Sequence, residues 1–259
     1  MQTTLSLAYA DSVGTLTLHA PEGKPPTLDH EVMEAFESRL TEVEQNSPDL
    51  VALVVRSSSP KFFCAGANLK VMEGINADTI TPWVLRGHAL MNRLEALPIP
   101  VVARVEGYAM GGGLELAMAC DLILASTTAR FAQSEAKLGL VTGWGGAYRL
   151  ARRVGLSRAK ELCFTGRMLE ADEACRLGVI DWAGTADQLD TYQAELLAAF
   201  AANSRSALRE TKRILATVTS TSIEENGPIE AEASVRCLRE GDAPQRLEAF
   251  FAARRAPKK

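Results

Sequence analysis

Apolar and polar positions alternate with period two over Leu5–Tyr9 and Val13–Leu18, which predicts two strands joined as an N-terminal hairpin. The period then lengthens. Between Leu28 and Gln45, the residues Leu28, Val32, Met33, Phe36, Leu40 and Val43 recur at helical spacing and share one face. Leu50–Val55 and Pro100–Val105 are continuous apolar runs of strand length, the pattern of strands covered on both sides. Cys120–Ala125 supplies a further strand. From Gly145 onward helical periodicity dominates, most clearly over Ala186–Asn203, Ser206–Ala216 and Gln245–Arg254, with Val179–Trp182 a short exception. The residues show no linker, low-complexity tract or internal repeat. The chain therefore reads as an α/β front followed by an all-helical tail.

Each of the two doubly covered runs leads into a loop that opens on a helix-compatible stretch, Phe62–Lys70 in one case and Gly107–Glu115 in the other. Gly111, Gly112 and Gly113 remove the Cβ atoms where backbone would approach a ligand, and a helix starting there aims free N–H groups and a positive dipole end at it. A group that turns anionic during reaction would be held at such a place. Glu115 falls in the first turn of that helix, and Glu135 follows twenty residues on, within Phe131–Gly139. Each feature has a plainer reading when taken singly. The glycines also suit a tight turn, Glu115 a helix N-terminus worth up to about 1 kcal/mol, and Glu135 a solvated surface beside Lys137.

Other glycine chemistries fail on spacing. A dinucleotide fingerprint starting at Gly111 needs a third glycine where Leu116 stands, and the chain has neither Gly-Lys-Ser/Thr nor G-x-S-x-G. His19, His30 and His88 are far apart and lack carboxylate partners at ligand spacing, so no metal is expected. A chain of 259 residues buries roughly 70–75% of its unfolded surface and needs no staples. Its five cysteines include no C-x-x-C pair and follow no secretion signal, so reduced thiols in a reducing compartment are expected. No run approaches the ~18–20 apolar residues of a membrane span, and the C-terminal Ala256–Lys259 is no peroxisomal address, which leaves the cytoplasm as the expectation. A net charge of −4 with scattered Lys and Arg argues against a nucleic-acid partner.

Taken in order, Ala65–Lys70, Gly111–Leu116, Glu135 and Gly139–Gly146 resemble the enoyl-CoA hydratase/isomerase (crotonase) family. That family's pattern has an A-G-A-D-x-K-like loop, a G-G-G-x-E-L loop, a second glutamate about twenty residues later and a glycine-rich turn. The resemblance continues through Arg149–Gly155 and Thr165–Ala174, so it covers nearly the whole chain. It implies an α/β, crotonase-like spiral of strand-strand-helix units over residues 1–200. A C-terminal helical region, 201–259, would pack against neighbouring subunits in a homotrimer or a dimer of trimers.

The resemblance also implies an activity, the addition of water across the 2,3 double bond of a 2-enoyl-CoA. The amides of Ala67 and Gly112 would hold the thioester oxygen as it becomes an enolate, Glu115 and Glu135 would divide the proton transfers, and the Gly143 amide would orient the water. Ala65, Asn68 and Leu69 would line the substrate, Lys61 and Lys70 would meet CoA phosphates, and Phe250 would lie near the adenine of a neighbouring subunit. No metal or redox cofactor is implied, because the substrate is carried as a CoA thioester. A Δ3-Δ2 enoyl-CoA isomerase, or another crotonase reaction that uses one carboxylate, is the alternative enzyme. A non-catalytic acyl-CoA-binding subunit is a distant one.

The chain departs from the family pattern in four places. Ala20–Leu28 replaces the usual R-P-x-x-x-N-A segment, Asn68 stands where aspartate is common, and Ala253 replaces a lysine that Arg254 could stand in for. The P-G-x-G-G turn reads Thr142-Gly143-Trp144-Gly145-Gly146, which places an indole beside the water site, either as acyl-pocket wall or as core.

Overall fold

The computed structural model describes residues 2–255. Strands β1 (Thr4–Ala10) and β2 (Val13–His19) form the expected antiparallel hairpin, turned by Asp11 and Ser12 at positive φ. Helix α1 (His30–Asn46) buries Val32, Met33, Phe36, Leu40 and Val43. It starts later than its period suggests. Asp29 caps it, with Oδ1 accepting the Val32 N–H at 3.0 Å, a contact worth ~1 kcal/mol, and Leu28 instead bridges to Ala67.

Three strand-strand-helix units follow. The first is β3 (Ala52–Ser57), β4 (Phe62–Cys64), α2 (Leu69–Glu73) and α3 (Ile80–Glu95). The second is β5 (Val101–Val105), β6 (Tyr108–Met110) and α4 (Gly112–Met118). The third is β7 (Leu122–Ser126), β8 (Arg130–Ala132), a 3-10 turn over Glu135–Leu138, and α5 (Gly146–Val154). Helix α6 (Leu156–Thr165), strand β9 (Leu169–Glu170), α7 (Ala171–Leu177) and β10 (Trp182–Gly184) lead to the terminal helices α8 (Ala186–Ala202), α9 (Arg205–Thr217), α10 (Ile223–Arg239) and α11 (Ala243–Arg255).

The first strand of each unit enters a six-stranded sheet, order β1-β2-β3-β5-β7-β10, and the second enters a four-stranded sheet, order β4-β6-β8-β9. The large sheet is parallel from β2 to β10. Its two faces bury different partners. Leu53, Val55, Val101, Ala103 and Ile123 join the main core, while Val102 and Leu124 pack with Leu189 of α8 on the opposite side. That two-sided burial is why these strands read as unbroken apolar runs. Each fully buried Val, Leu or Ile contributes about 1.5–3 kcal/mol relative to exposure.

Two features differ from the sequence pattern. Strand β10 begins at Trp182, because the Val179 and Ile180 N–H groups turn back to the Ala174 carbonyl at 2.8 and 3.4 Å. The small sheet has no periodic signature at all. Its β4, β6 and β8 are three residues each, too short to show a period.

Candidate active site

Strands β4, β6 and β8 run parallel, with Phe62 opposite Tyr108, Ala109 opposite Phe131 and Met110 opposite Ala132, so their carboxyl ends meet at one edge. Ligands bind outside the carboxyl ends of such strands, where the chain turns away from the sheet. Here those ends deliver Ala65–Ala67, Gly111–Gly113 and Gln133–Glu135. Gly66 takes φ +87°, and a Cβ there would lie 2.8 Å from the Gly112 nitrogen, so the first two loops touch backbone to backbone. A Cβ on Gly113 would overlap the Cys64 carbonyl, and one on Gly112 would overlap the Trp144 indole. The glycine run is required by space, not by turn geometry alone.

The Ala67 amide is oriented by its neighbours. Leu28 donates its N–H to the Gly66 carbonyl at 2.8 Å and accepts the Asn68 N–H at 2.8 Å, so the peptide groups flanking Ala67 face Leu28 and its own N–H faces the other way. Gly112 is the first residue of α4, where a helix leaves its N–H groups unused. Among the described residues, no turn, loop or side-chain acceptor takes either N–H. Both residues line one cleft.

Glu115, one turn into α4, is only 2% exposed. Its Oε1 accepts the N–H groups of Trp144 at 2.8 Å and Gly146 at 2.7 Å. Burial pushes its carboxyl up to about 7, and the Glu135 charge adds to this, while the two N–H donors and Arg149 pull the other way. Glu135 opens the 3-10 turn after β8, and burial raises its carboxyl too. Among the described residues neither of its oxygens has a hydrogen-bond partner, and both are closed off from bulk solvent. A Cβ on Gly111 would lie 2.9 Å from Glu135 Oε1, which sets this carboxyl against the glycine loop. Burial thus opposes ionisation of both acids, and the charge of Glu135 further opposes that of Glu115.

The cleft between these groups measures about 160 Å3 and is lined on its remaining sides mainly by apolar groups, among them Trp83, Val84, Ile80, Met72 and Trp144. Trp144 is 3% exposed and belongs to the core as well as to the cleft wall. Its indole is wedged between Gly87 of α3 and Gly112, where a Cβ on either would overlap it. Arg149 fixes the turn that carries Trp144. Its Nη1 donates to the Trp144 carbonyl at 2.9 Å, its Nη2 to Asn92 at 2.7 Å, and its Nε to Glu95 at 3.0 Å.

Ala65, Ala67, Leu69, Gly112, Glu115, Glu135, Gly143 and Trp144 thus come together at the cleft, as the sequence suggests. Lys61, Asn68, Lys70 and Phe250 are not in its wall. Lys61 is exposed with Nζ 5.4 Å from the Phe62 ring centroid, and Lys70 is exposed on α2. Asn68 caps α2 by accepting the Lys70 N–H at 3.1 Å and reaches Asp29 at 3.3 Å. Phe250 lies on α11, half exposed, edge-on to Phe251 and under Arg254 at 4.7 Å. Trp83, Arg149 and the buried Gln133 carry no sequence signal of a place at the site, since a lone aromatic, arginine or glutamine at helix or strand spacing forms no motif. A Cβ on Gly146 would overlap the Gln133 amide and lie 2.8 Å from Glu115 Oε1, which puts Gln133 beside the buried acid.

A family model described as enoyl-CoA hydratase/isomerase matches residues 9–257. The chain belongs to the enoyl-CoA hydratase/isomerase family. It is 31% identical over 243 residues to a short-chain-enoyl-CoA hydratase of Clostridium acetobutylicum, covering 94% of this chain and 92% of that one. It is 39% identical over 201 residues to a probable enoyl-CoA hydratase of Mycobacterium bovis, covering 77% and 76%. The crystal structure of an enoyl-CoA hydratase from Bacillus anthracis matches with a TM-score of 0.89 at 30% identity, over 98% of each chain. Membership of the enoyl-CoA hydratase/isomerase family accounts for the spiral of strand-strand-helix units, with its parallel sheet and its C-terminal helices.

Proposed function

We propose that this chain is an enoyl-CoA hydratase acting on a 2-enoyl-CoA thioester. The observation that carries the reading is the buried Glu115 and the solvent-shielded carboxyl of Glu135 facing one apolar cleft together with the Ala67 and Gly112 amides. One carboxylate takes a proton from water as the water oxygen bonds to C3. The C2=C3 electron pair moves toward the thioester, and the resulting enolate oxygen is held by the two N–H groups. The protonated partner then gives its proton to C2, so the net change is the addition of one water. One carboxyl serves as the base and the other as the acid, and the Gly143 amide, at the cleft wall, orients the water. The thioester itself accepts the electron pair, so the chemistry calls for no metal or redox cofactor.

Isomerisation of a Δ3 to a Δ2 double bond moves a proton from C2 to C4 and needs only one carboxylate. The second buried carboxyl therefore favours hydration. In the same reading Lys61 and Lys70 meet CoA phosphates, Asn68 and Leu69 shape the loop beside the thioester, and α11 presents Phe250 to a neighbouring subunit of a homotrimer or dimer of trimers. The free thiols suit a reducing cytoplasm, and no described helix is long and apolar enough to cross a membrane. The test is loss of the conjugated-thioester absorbance when purified protein meets short, long, branched and aromatic enoyl-CoAs. Turnover of at least one 2-enoyl-CoA is expected; double-bond migration without hydrated product sinks the hydratase reading.

A further inference from the structure

Trp83 stands on α3 one turn before Gly87 and is 4% exposed. It lines the catalytic cleft on one side. On the other it lines a second groove of about 460 Å3, shared with His30, Val71, Ile75, Pro82 and Arg86. Among the described residues it is the one side chain common to both linings. His30 meets the indole edge-on from the groove side at 4.8 Å, and Trp144 meets it from the cleft side at 5.4 Å. The indole is thus a wall between two spaces. A cleft of about 160 Å3 is close to the ~150 Å3 that holds a benzene, so it takes the reacting double bond and only a few more carbons.

Resting on the acyl-CoA reading above, we infer that Trp83 is the chain-length gate of this site: it closes the acyl end against the neighbouring groove and restricts the enzyme to short or compact enoyl chains. The groove is suited to an apolar tail once the wall is removed. Val71, Ile75 and Pro82 give it apolar sides, and the Arg86 guanidinium is already held by Glu37 through two contacts of 2.9 Å. Trp144 is a poor gate by comparison. It is wedged on Gly112, and its backbone N–H holds Glu115, so displacing it disturbs the oxyanion loop and the acid, whereas the Trp83 indole meets this machinery through the Trp144 ring, at 5.4 Å.

The test is a ladder of trans-2-enoyl-CoAs from four to sixteen carbons, read as the ratio of kcat/KM for ten-carbon to four-carbon substrate. A uniform loss of rate does not move this ratio. The wild type is expected to fall at least about tenfold along that interval. Trp83→Ala should raise the ratio about tenfold or more, since each buried methylene is worth about fourfold in binding. Trp83→Leu, which keeps more of the core contact, serves if the alanine variant fails to fold and should move the ratio the same way.

Dissociation constants of the unreactive butyryl-CoA and decanoyl-CoA give the same ladder without turnover. A wild type that binds both but hydrates neither enoyl analogue would overturn the hydratase reading, while the binding ratios still judge the gate. Equal handling of four and ten carbons by the wild type, or a ratio unmoved in a folded Trp83 variant, overturns the gate. So does the absence of any acyl-CoA binding.

Discussion

The two sheets of this chain are built on opposite principles. In the large sheet, β3, β5 and β7 consist mostly of buried side chains, and stability comes from the area they remove from water. In the small sheet, the three-residue β4, β6 and β8 matter for where they stop. Their ends place backbone amides and one carboxyl at a common edge, and the pairing of β4 with β6 includes a register irregularity at Phe62 and Cys64. The large sheet is a scaffold whose residues are exchangeable within apolar chemistry. The small sheet is a positioning device whose atoms are not.

If that division is right, substitutions at the small sheet's edge should remove activity without removing the fold. The largest effect is expected at the carboxyls. Glu115→Gln and Glu135→Gln should each lower kcat about a thousandfold or more, with the double variant far less than multiplicatively worse, because the pair acts as a unit. Glutamine at 115 can still accept the Trp144 and Gly146 N–H groups, so acyl-CoA affinity should change much less. Near-normal turnover in both single variants, measured by absorbance, breaks the division at its strongest point.

Next in size is the loss of an amide. Ala67→Pro deletes the first donor and Gly112→Val drives a side chain into the Trp144 indole, so each should cost about 10² to 10³ in rate. The counterpart in the large sheet is Leu53→Ala at a fully buried position of β3. It should cost about 2–5 kcal/mol in denaturant unfolding while the folded fraction keeps its kcat. Equal losses of rate from Leu53→Ala and Ala67→Pro would erase the distinction between scaffold and device.

The smallest effect is on stability and follows from Glu115. Its carboxyl is raised to about 7 in the folded chain, so it is neutral in both the folded and the unfolded state below pH ~4.5 and costs nothing there. As pH rises through about 7 the unfolded chain has already released this proton and the folded chain resists doing so, so stability is lost over that window. Glu115→Gln removes the cost. Its unfolding free energy should match the wild type near pH 4.5 and exceed it at pH 8, by up to about 3 kcal/mol at roughly 1.4 kcal/mol per unit. Differences that do not change with pH contradict a raised carboxyl.

The same contrast explains what the sequence disclosed. The strands of the large sheet and the buried face of α1 were legible because burial imposes a period on side chains. The edge of the small sheet was legible only through motifs, as Gly111–Gly113 with Glu115 and the spacing to Glu135. Trp83 and Arg149 were not legible as site residues. Each acquires its place only when α3 packs across the turn at 142–146, a contact between segments distant in sequence. Leu28 and Val179 lie outside the elements their pattern predicts for a local reason, since each is apolar but turns its backbone to a neighbouring segment instead of continuing its element.

The central claim is that three strand ends assemble a hydration site, and the most direct test follows crotonyl-CoA with purified protein in deuterated water by NMR. A hydroxyl at C3 and a single deuterium at C2 are predicted, with both signals lost together in Glu115→Gln and in Glu135→Gln. Deuterium entering the thioester without any hydroxylated product, or no change in crotonyl-CoA at all, would contradict the account.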